Sequence, residues 1–437
     1  MVRVLSFALL LLPSLLAAQS VTDTASRPIE LQEALRLAKR NSPLTVFARG
    51  YTRVTRASVK SAYFAFVPDL SVFAQSNWRR GQTGGQAGEI ITVTNTTFLD
   101  QFSARLDLFD GGRRFFNIRA AQAANASAEA TDILQEYQVA LDVKQQYFNV
   151  LAAQEAEQAA RAQLAEAEQQ LRVASVRVAA GAASRSDSLR AMVAVGNARL
   201  AILDAENRVQ LANASLTRLV GTGFPVTAIQ ESAPAVAAAD TLGLAYLTSL
   251  AEDGPLVMTA EADLAVAKAT ARATRTLYLP TISATYGRSG FGYDRRFGLR
   301  DPFTYSSGFT LSLNFPLLDG LQREESVVRA NVAEDNAEAT LRDYRLRAQQ
   351  ELTQSLGLLR NAGQRVEVQT SSVAATEQDL LFQQQRYALG AATLLDVLTS
   401  QAALNTARNA LITARFDQRV ARARLEALVG RSLETVR

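Results

Sequence analysis

The sequence has no cysteine and no histidine among its 437 residues. That excludes a disulfide framework, a lipid-bearing N-terminal cysteine, a Cys or His nucleophile or general base, and ordinary zinc or haem sites. A Gly-rich phosphate loop ending in Lys-Ser/Thr is missing as well. Carboxylate catalysis survives these absences, yet no paired Asp/Glu constellation stands out from a helical background. The composition reads as that of a protein that is no enzyme, with no catalytic residue, no metal and no cofactor.

Long hydrophobic runs are equally scarce. Only the N-terminus has one: Arg3 precedes an apolar stretch from Val4 to Leu16, and Leu16-Ala17-Ala18 offers small residues before Gln19. Residues 1–18 read as a secretory signal removed on export. Beyond them no eighteen consecutive apolar residues occur. A membrane crossing would therefore need strands closed into a barrel, because lipid cannot satisfy an open sheet edge. Clustered charge is lacking too. The net charge of +4 comes mostly from arginines spread among Glu and Gln, whereas a nucleic-acid face needs them together. No nucleic-acid partner is expected.

What the sequence does contain is a duplication. Gly181 in RVAAGAASRSDSL and Gly390 in RYALGAATLLDVL lie 209 residues apart. So do Arg177/Arg386, Asp187/Asp396, Asp110/Asp319 and the ends Leu219-Val220-Gly221 and Leu428-Val429-Gly430. Pro43/Pro255 and Pro68/Pro280 are instead 212 apart. The change in spacing falls between Pro68 and Asp110, where a surface loop tolerates it best. The expected first repeat is 19–229, with a β-hairpin at about 69–109 and a long helical hairpin at about 111–220. A linker follows at 230–240. The second repeat is 241–437, with a β-hairpin at about 281–318 and a helical hairpin at about 320–429.

In each repeat a helical pattern, interrupted at Ser42-Pro43 or Gly254-Pro255, gives way after Pro68 or Pro280 to a period of two. Leu70, Val72, Ala74 and Trp78 oppose Asp69, Ser71, Gln75 and Asn77. Tyr305, Phe309, Leu311, Leu313 and Phe315 oppose Ser306, Gly308, Thr310, Ser312 and Asn314. Soluble half-buried sheets alternate in the same way. A strand length of about ten residues and the aromatic content favour a membrane barrel: nineteen of the thirty-one aromatics fall in residues 63–116 and 278–315. The segments RRGQTGGQAGE from Arg79 and DRRFGLRD from Asp294 are expected as loops. Four strands cannot enclose a lumen, so several chains must contribute.

From Gly112 to Val178 and from Gly320 to Ala388 there is no proline, and the only glycines inside those runs are Gly357 and Gly363. At 1.5 Å per residue each helix would reach about 100 Å and would need lateral partners throughout, as coiled coils do. Gly181 and Gly390 are placed to turn the chain back.

The LFDGG-like strand exits (Leu108 to Gly112, Leu317 to Gly320), YALGAATLLDVL from Tyr387 and the paired LVG ends together resemble the TolC family of outer-membrane efflux proteins. The resemblance covers nearly all of the chain after residue 18. It implies an α plus β membrane protein. A homotrimer would build a twelve-stranded outer-membrane β-barrel, four strands per chain, continued by a long periplasmic α-helical barrel. Such a protein is the passive exit duct of a tripartite efflux or type I secretion system. Its partners are an inner-membrane transporter, a periplasmic adaptor and outer-membrane lipid.

By the same resemblance, Asp396 matches a position whose three copies form an acidic ring at the entrance, while Thr399 stands where a second acid is usual. Three converging carboxylates would attract cations and raise one another's pKa. Tyr387 and Asp187 match positions that hold the entrance shut. The basic partner expected two residues after Gly390 is Ala392, leaving Arg185 as the candidate substitute. Gly181-Ala182 and Gly390-Ala391 match the tips where adaptors dock. Asp187 and Asp396, each six residues past a tip glycine, also suit a helix N-terminal cap. The alternative function is a soluble periplasmic coiled-coil scaffold or adaptor, which would have no use for aromatic-rich alternating strands.

Overall fold

A computed structural model describes residues 26–84, 90–230, 243–293 and 304–433. The expected signal, the linker beyond Gln230 and the DRRFGLRD loop lie outside the described residues. In chain order the first elements are β1 (Arg27–Ile29), α1 (Leu31–Asn41), α2 (Pro43–Phe64), β2 (Asp69–Gly84), β3 (Ile90–Phe109), α3 (Arg113–Ala179) and α4 (Arg185–Val220). They are followed by β4 (Val226–Ala228), α5 (Leu244–Glu252), α6 (Pro255–Arg275), β5 (Thr281–Tyr293), β6 (Thr304–Asn314), α7 (Gln322–Ala388) and α8 (Leu394–Val429). Two compact units emerge, one of Met1–Leu37 with Gln146–Ser232 and the other of Ala38–Gln145 with Ala233–Arg437.

In the first unit α3 and α4 pack through small residues. Ala167, Val195 and Ala198 form a buried cluster flanked by Leu164 and Leu171, and alanines let the two backbones approach closely. A feature without sequence signal closes this unit: β1 and β4 pair in parallel, Arg27 opposite Val226 through Ile29 opposite Ala228. Tyr147, 2% exposed, lies beneath them. Its hydroxyl is 2.8 Å from the Ile229 carbonyl and accepts the Ile229 N–H at 3.1 Å.

The second unit holds a four-stranded antiparallel sheet in the order β2-β3-β5-β6. Register makes the alternation of each strand agree with its neighbour's. Val72 faces Phe102, Leu70 faces Ala104, Ala104 faces Tyr286, Leu106 faces Ala284, and Tyr286 faces Phe309. Directly opposed residues share a face, so one side of the sheet is mostly apolar, interrupted by Ser76, Asp100, Arg288 and Ser307. The other side carries Ser71 against Ser103 and Thr285 against Thr310, with Phe73, Leu99 and Phe291 as apolar exceptions.

The strands are longer than the ten residues expected. β2 has 16 and β3 has 20, and Arg79–Gly84, expected as loop, instead pairs from Arg79 opposite Asn95 to Gly84 opposite Ile90. Glycine weakens a ladder but does not interrupt it. Residues 85–89 lie outside the described residues.

Helices α3 and α7 have 67 residues each, about 100 Å at 1.5 Å per residue. Leucines hold α7 to its neighbours: Leu352, Leu356 and Leu359 pack with Leu247, Leu250, Leu425 and Val429. Helix α2 buries Thr45, Ala48, Thr52 and Thr55. Beside that small-residue seam Arg49 and Lys39 reach Glu136 at 2.8 and 3.3 Å, and Arg56 reaches Glu129 at 3.0 Å. Burial pushes the Glu136 carboxyl up, but Arg49 and Lys39 outweigh it and hold the group below its usual range. Asp132, one turn earlier, has no ion pair among the described residues: burial, then the Glu136 charge, pushes its pKa up against the weaker pull of Arg49 and Arg56.

Candidate functional site

Two tips and two strand-to-helix junctions each gather a compact set of polar contacts. At the first tip α3 ends at Ala179 and Gly181 adopts φ +73°, a left-handed turn that glycine enters without Cβ strain. The Gly181 N–H donates to Val178 O and the Ala182 N–H to Arg177 O, at 3.0 and 2.8 Å, a Schellman ending. Ser184 then caps α4. Its hydroxyl accepts the Asp187 N–H at 3.3 Å, while Asp187 Oδ2 accepts the Ser184 N–H at 3.0 Å. Arg185 is exposed next to the cap.

The second tip repeats this device. Gly390 has φ +74°, and its N–H and that of Ala391 donate to Tyr387 O and Arg386 O at 3.1 and 2.8 Å. Asp396 Oδ2 accepts both the N–H and the hydroxyl of Thr393 at 2.8 Å. Those two bonds, backbone first, hold its carboxyl below the usual range, and Arg386 adds to the effect. Asp396 is exposed, whereas Tyr387 is 5% exposed. Asp187, Arg185, Gly181 and Ala182 thus share the first tip, and Asp396, Tyr387, Gly390 and Ala391 the second. Within a single chain both aspartates stand at the third helical position and complete capping boxes whose N-caps are Ser184 and Thr393. In each tip the arginine that ends the long helix also reaches across the turn: Arg177 donates to Ala182 O at 3.4 Å and Arg386 to Ala391 O at 3.0 Å.

The strand exits were expected at these positions, but the Asp–Arg clamps that close them were not foreseen from the sequence. Where β3 passes into α3, Asp110 Oδ1 accepts the Gly112 N–H and its Oδ2 the Arg114 N–H, at 3.1 and 2.9 Å. The Arg114 side chain folds back, with Nε 3.3 Å from Asp110 Oδ2. It donates to Ala65 O and Leu108 O at 3.3 and 3.4 Å, and its guanidinium stands 4.6 Å from the Phe66 ring centre. At the α7 junction Arg323 does the same. Its Nε is 2.9 Å from Asp319 Oδ2, it donates to Pro316 O and Leu317 O at 2.9 and 3.3 Å, and it lies 5.3 Å from the Tyr278 ring. Arg114 and Arg323 are also 209 residues apart, and that spacing was the signal that could have found them. Among the described residues no group of three or more acidic side chains is placed to hold a metal ion.

The sequence matches the outer membrane efflux protein family over residues 34–222 and 247–431. The chain belongs to that family. It is 29% identical over 329 residues to Protein CyaE of Bordetella pertussis, a match covering 73% of this chain and 66% of that protein. It is 27% identical over 412 residues to the pyoverdine export outer membrane protein OpmQ of Pseudomonas aeruginosa, covering 92% of this chain and 84% of the relative. The fold resembles the open state of the MtrE outer membrane channel of Neisseria gonorrhoeae, with a TM-score of 0.73 at 20% identity over 92% of this chain and 89% of that one. The chain therefore has the fold of outer-membrane efflux proteins, whose trimeric channels combine a β-barrel with a long helical barrel, and it resides in the outer membrane. Proteins of this family form trimeric channels in tripartite efflux and secretion systems. Family and fold are those of channels rather than enzymes.

Proposed function

We propose that three copies of this chain form a passive exit duct through the outer membrane, with no catalytic activity of its own. A periplasmic adaptor and an inner-membrane transporter would supply cargo and energy, as in tripartite efflux or type I secretion. The observation that carries the reading is the sheet register: it gathers most of the apolar residues of all four strands on one side, with Asp100 and Arg288 as charged exceptions, and leaves a largely polar opposite side, the kind of division between lipid and lumen that a membrane barrel needs. Four strands leave edges open, and lipid cannot satisfy them, so neighbouring copies must pair with β2 and β6. The single chain also leaves Leu200, Leu203 and Leu211 of α4 about 60% exposed, apolar surface of the kind that partner helices cover.

In this reading the tips form the periplasmic entrance. Gly181-Ala182 and Gly390-Ala391 would present the turns to the adaptor, Asp396 would line the narrow axis, and Tyr387, Asp187 and Arg185 would hold the entrance shut. Repulsion between three Asp396 carboxylates would oppose the stabilisation that Thr393 gives each of them. Small exported organic molecules, of which pyoverdine is the example set by the relative OpmQ, are one candidate cargo.

Reconstitution into planar bilayers tests the duct. The protein should insert as a trimer that resists carbonate extraction and conducts ions, and Tyr387→Phe should raise the resting conductance. A protein released by carbonate would leave the soluble scaffold as the better reading. A low conductance unchanged by Tyr387→Phe would remove that residue from the latch and leave the duct standing.

A further inference from the structure

We propose that the second unit carries a binding site for a small anionic amphiphile, a molecule with an apolar body and one carboxylate or sulfonate. The site is a cavity of about 450 Å³ bounded by α3, α6, α7 and α8, within the range of small-ligand sites. Its apolar wall comes from four helices: Leu134 and Leu141 of α3, Leu256 of α6, Leu358 of α7 and Leu428 of α8.

The polar groups decide which ligand fits. Arg347 and Glu351 on the wall pair with each other at 3.1 Å, so their charges cancel. Arg424 is different. Among the described residues it makes no hydrogen bond or ion pair, and it faces the cavity together with Gln354 and Ser355, whose side chains are likewise unengaged. The wall therefore combines one free positive charge, two neutral donors and several leucines. A neutral apolar molecule would desolvate Arg424 without pairing it, which is costly. A cation would be repelled, and a small inorganic anion would gain nothing from the leucines. An amphiphile with a single anionic group satisfies both parts, its head forming a charge-assisted, bidentate contact with the guanidinium. A helix is about 10–12 Å across with its side chains, too thick to enter a space of this volume.

The test uses the assembled protein in lipid nanodiscs and equilibrium dialysis with naphthalene-2-sulfonate as probe, with empty nanodiscs as the blank. One saturable site per chain is expected. Arg424→Gln should weaken it about five- to tenfold, the loss of one partly solvated charge-assisted bond. The trimer's melting temperature should stay unchanged, because Arg424 is exposed and holds nothing. Naphthylmethylammonium, of similar size and opposite charge, should not saturate. The proposal is overturned if no saturable binding rises above the blank at millimolar probe, as when a neighbouring chain or lipid covers the cavity. It is equally overturned if Arg424→Gln binds as the unsubstituted protein does, or if the cationic probe binds as well as the sulfonate.

Discussion

Replacing Arg114 with alanine should destabilise the chain by about 2–3 kcal/mol. The Arg114 and Asp110 side chains are 14% and 6% exposed, so the pair is buried, and removing one partner of a buried pair costs about 3–5 kcal/mol. Two features bring the value below that range. The Nε–Oδ2 separation is 3.3 Å, long for a charged contact, and Asp110 keeps the N–H groups of Gly112 and residue 114 at 3.1 and 2.9 Å when the side chain is gone. The bonds to Ala65 O and Leu108 O, at 3.3 and 3.4 Å, belong to the weak end of the ~0.5–1.5 kcal/mol range. The Phe66 ring contact adds about 0.5–1 kcal/mol. Arg114→Lys should lose about half as much, since an ammonium keeps the charge but cannot reach a carboxylate and two carbonyls from one planar fork. Arg323→Ala should behave alike, and the double variant should show the sum, because the two clamps share no residue. Thermal melting of the reconstituted protein, followed by helical circular dichroism, measures all four. The reasoning is refuted if Arg114→Ala melts with the unsubstituted chain, or if lysine is no better than alanine.

Three further outcomes are expected. Gly390→Ala, at φ +74°, should cost about 1–2 kcal/mol, whereas Gly357→Ala, with no atom within 4 Å of the added Cβ, should gain about 0.5–1 kcal/mol in the interior of α7; melting shifts of the same sign would contradict this. Asp396→Asn keeps the cap geometry and removes the charge, so it should lower cation selectivity in planar bilayers with little change in melting, and unchanged selectivity would place this carboxylate away from the pore axis. Asp132→Asn should raise the melting temperature at pH 7 by a few degrees. Burial raises the Asp132 pKa, so its contribution to stability is complete below the ordinary value of 3.8 and is lost as pH rises through the raised value. The gain from asparagine should shrink as pH falls toward 4, and a gain independent of pH would assign it to packing.

Much of the fold was legible because local chemistry decides it. Pro43 and Pro255 stand at the first turn of α2 and α6, where a missing N–H costs nothing, and both tip turns sit on the glycines that permit them. The strand faces could be read because a period of two survives any register that keeps the apolar side together. The reach of β2 and β3 past Arg79 could not be read. It depends on a partner strand pairing with Gly-rich sequence, and the glycines read locally as a turn. The β1–β4 pair was hidden for a similar reason: three residues, one of them Pro28, have no pattern, and their support is Tyr147, 118 residues from Ile29 in the chain. At the site, the spacing of the aspartates from the tip glycines pointed to the helix starts, where they close capping boxes on Ser184 and Thr393. Arg114 and Arg323 were passed over because each, taken singly, looks like any arginine at the start of a helix.

The duplication preserves backbone devices and varies what is buried behind them. Both tips use a left-handed glycine, an arginine that bridges the turn and an Asp at the third helical position of the returning helix. Both junctions use an Asp–Arg clamp on an aromatic ring. These features fix how the chain reverses or exits a strand, a requirement that both repeats share. The interiors of the helical hairpins have no such requirement, and there the repeats diverge. Ser400 donates to Asp379 in the second hairpin, where the first has Ala191 and Gln170. Gln170 is 8% exposed, and among the described residues its Nε2 has no hydrogen-bond partner. Tyr387 is buried where the first hairpin has Val178. Lys144 holds Glu426 at 2.6 Å, while the position matching Glu426 is Thr217, whose hydroxyl instead accepts the Val226 N–H at the start of β4. A turn made twice in the same way cannot by itself distinguish the two hairpins of one chain. Buried polar groups that differ can, because each leaves its helix pair a different cost for sliding or separating.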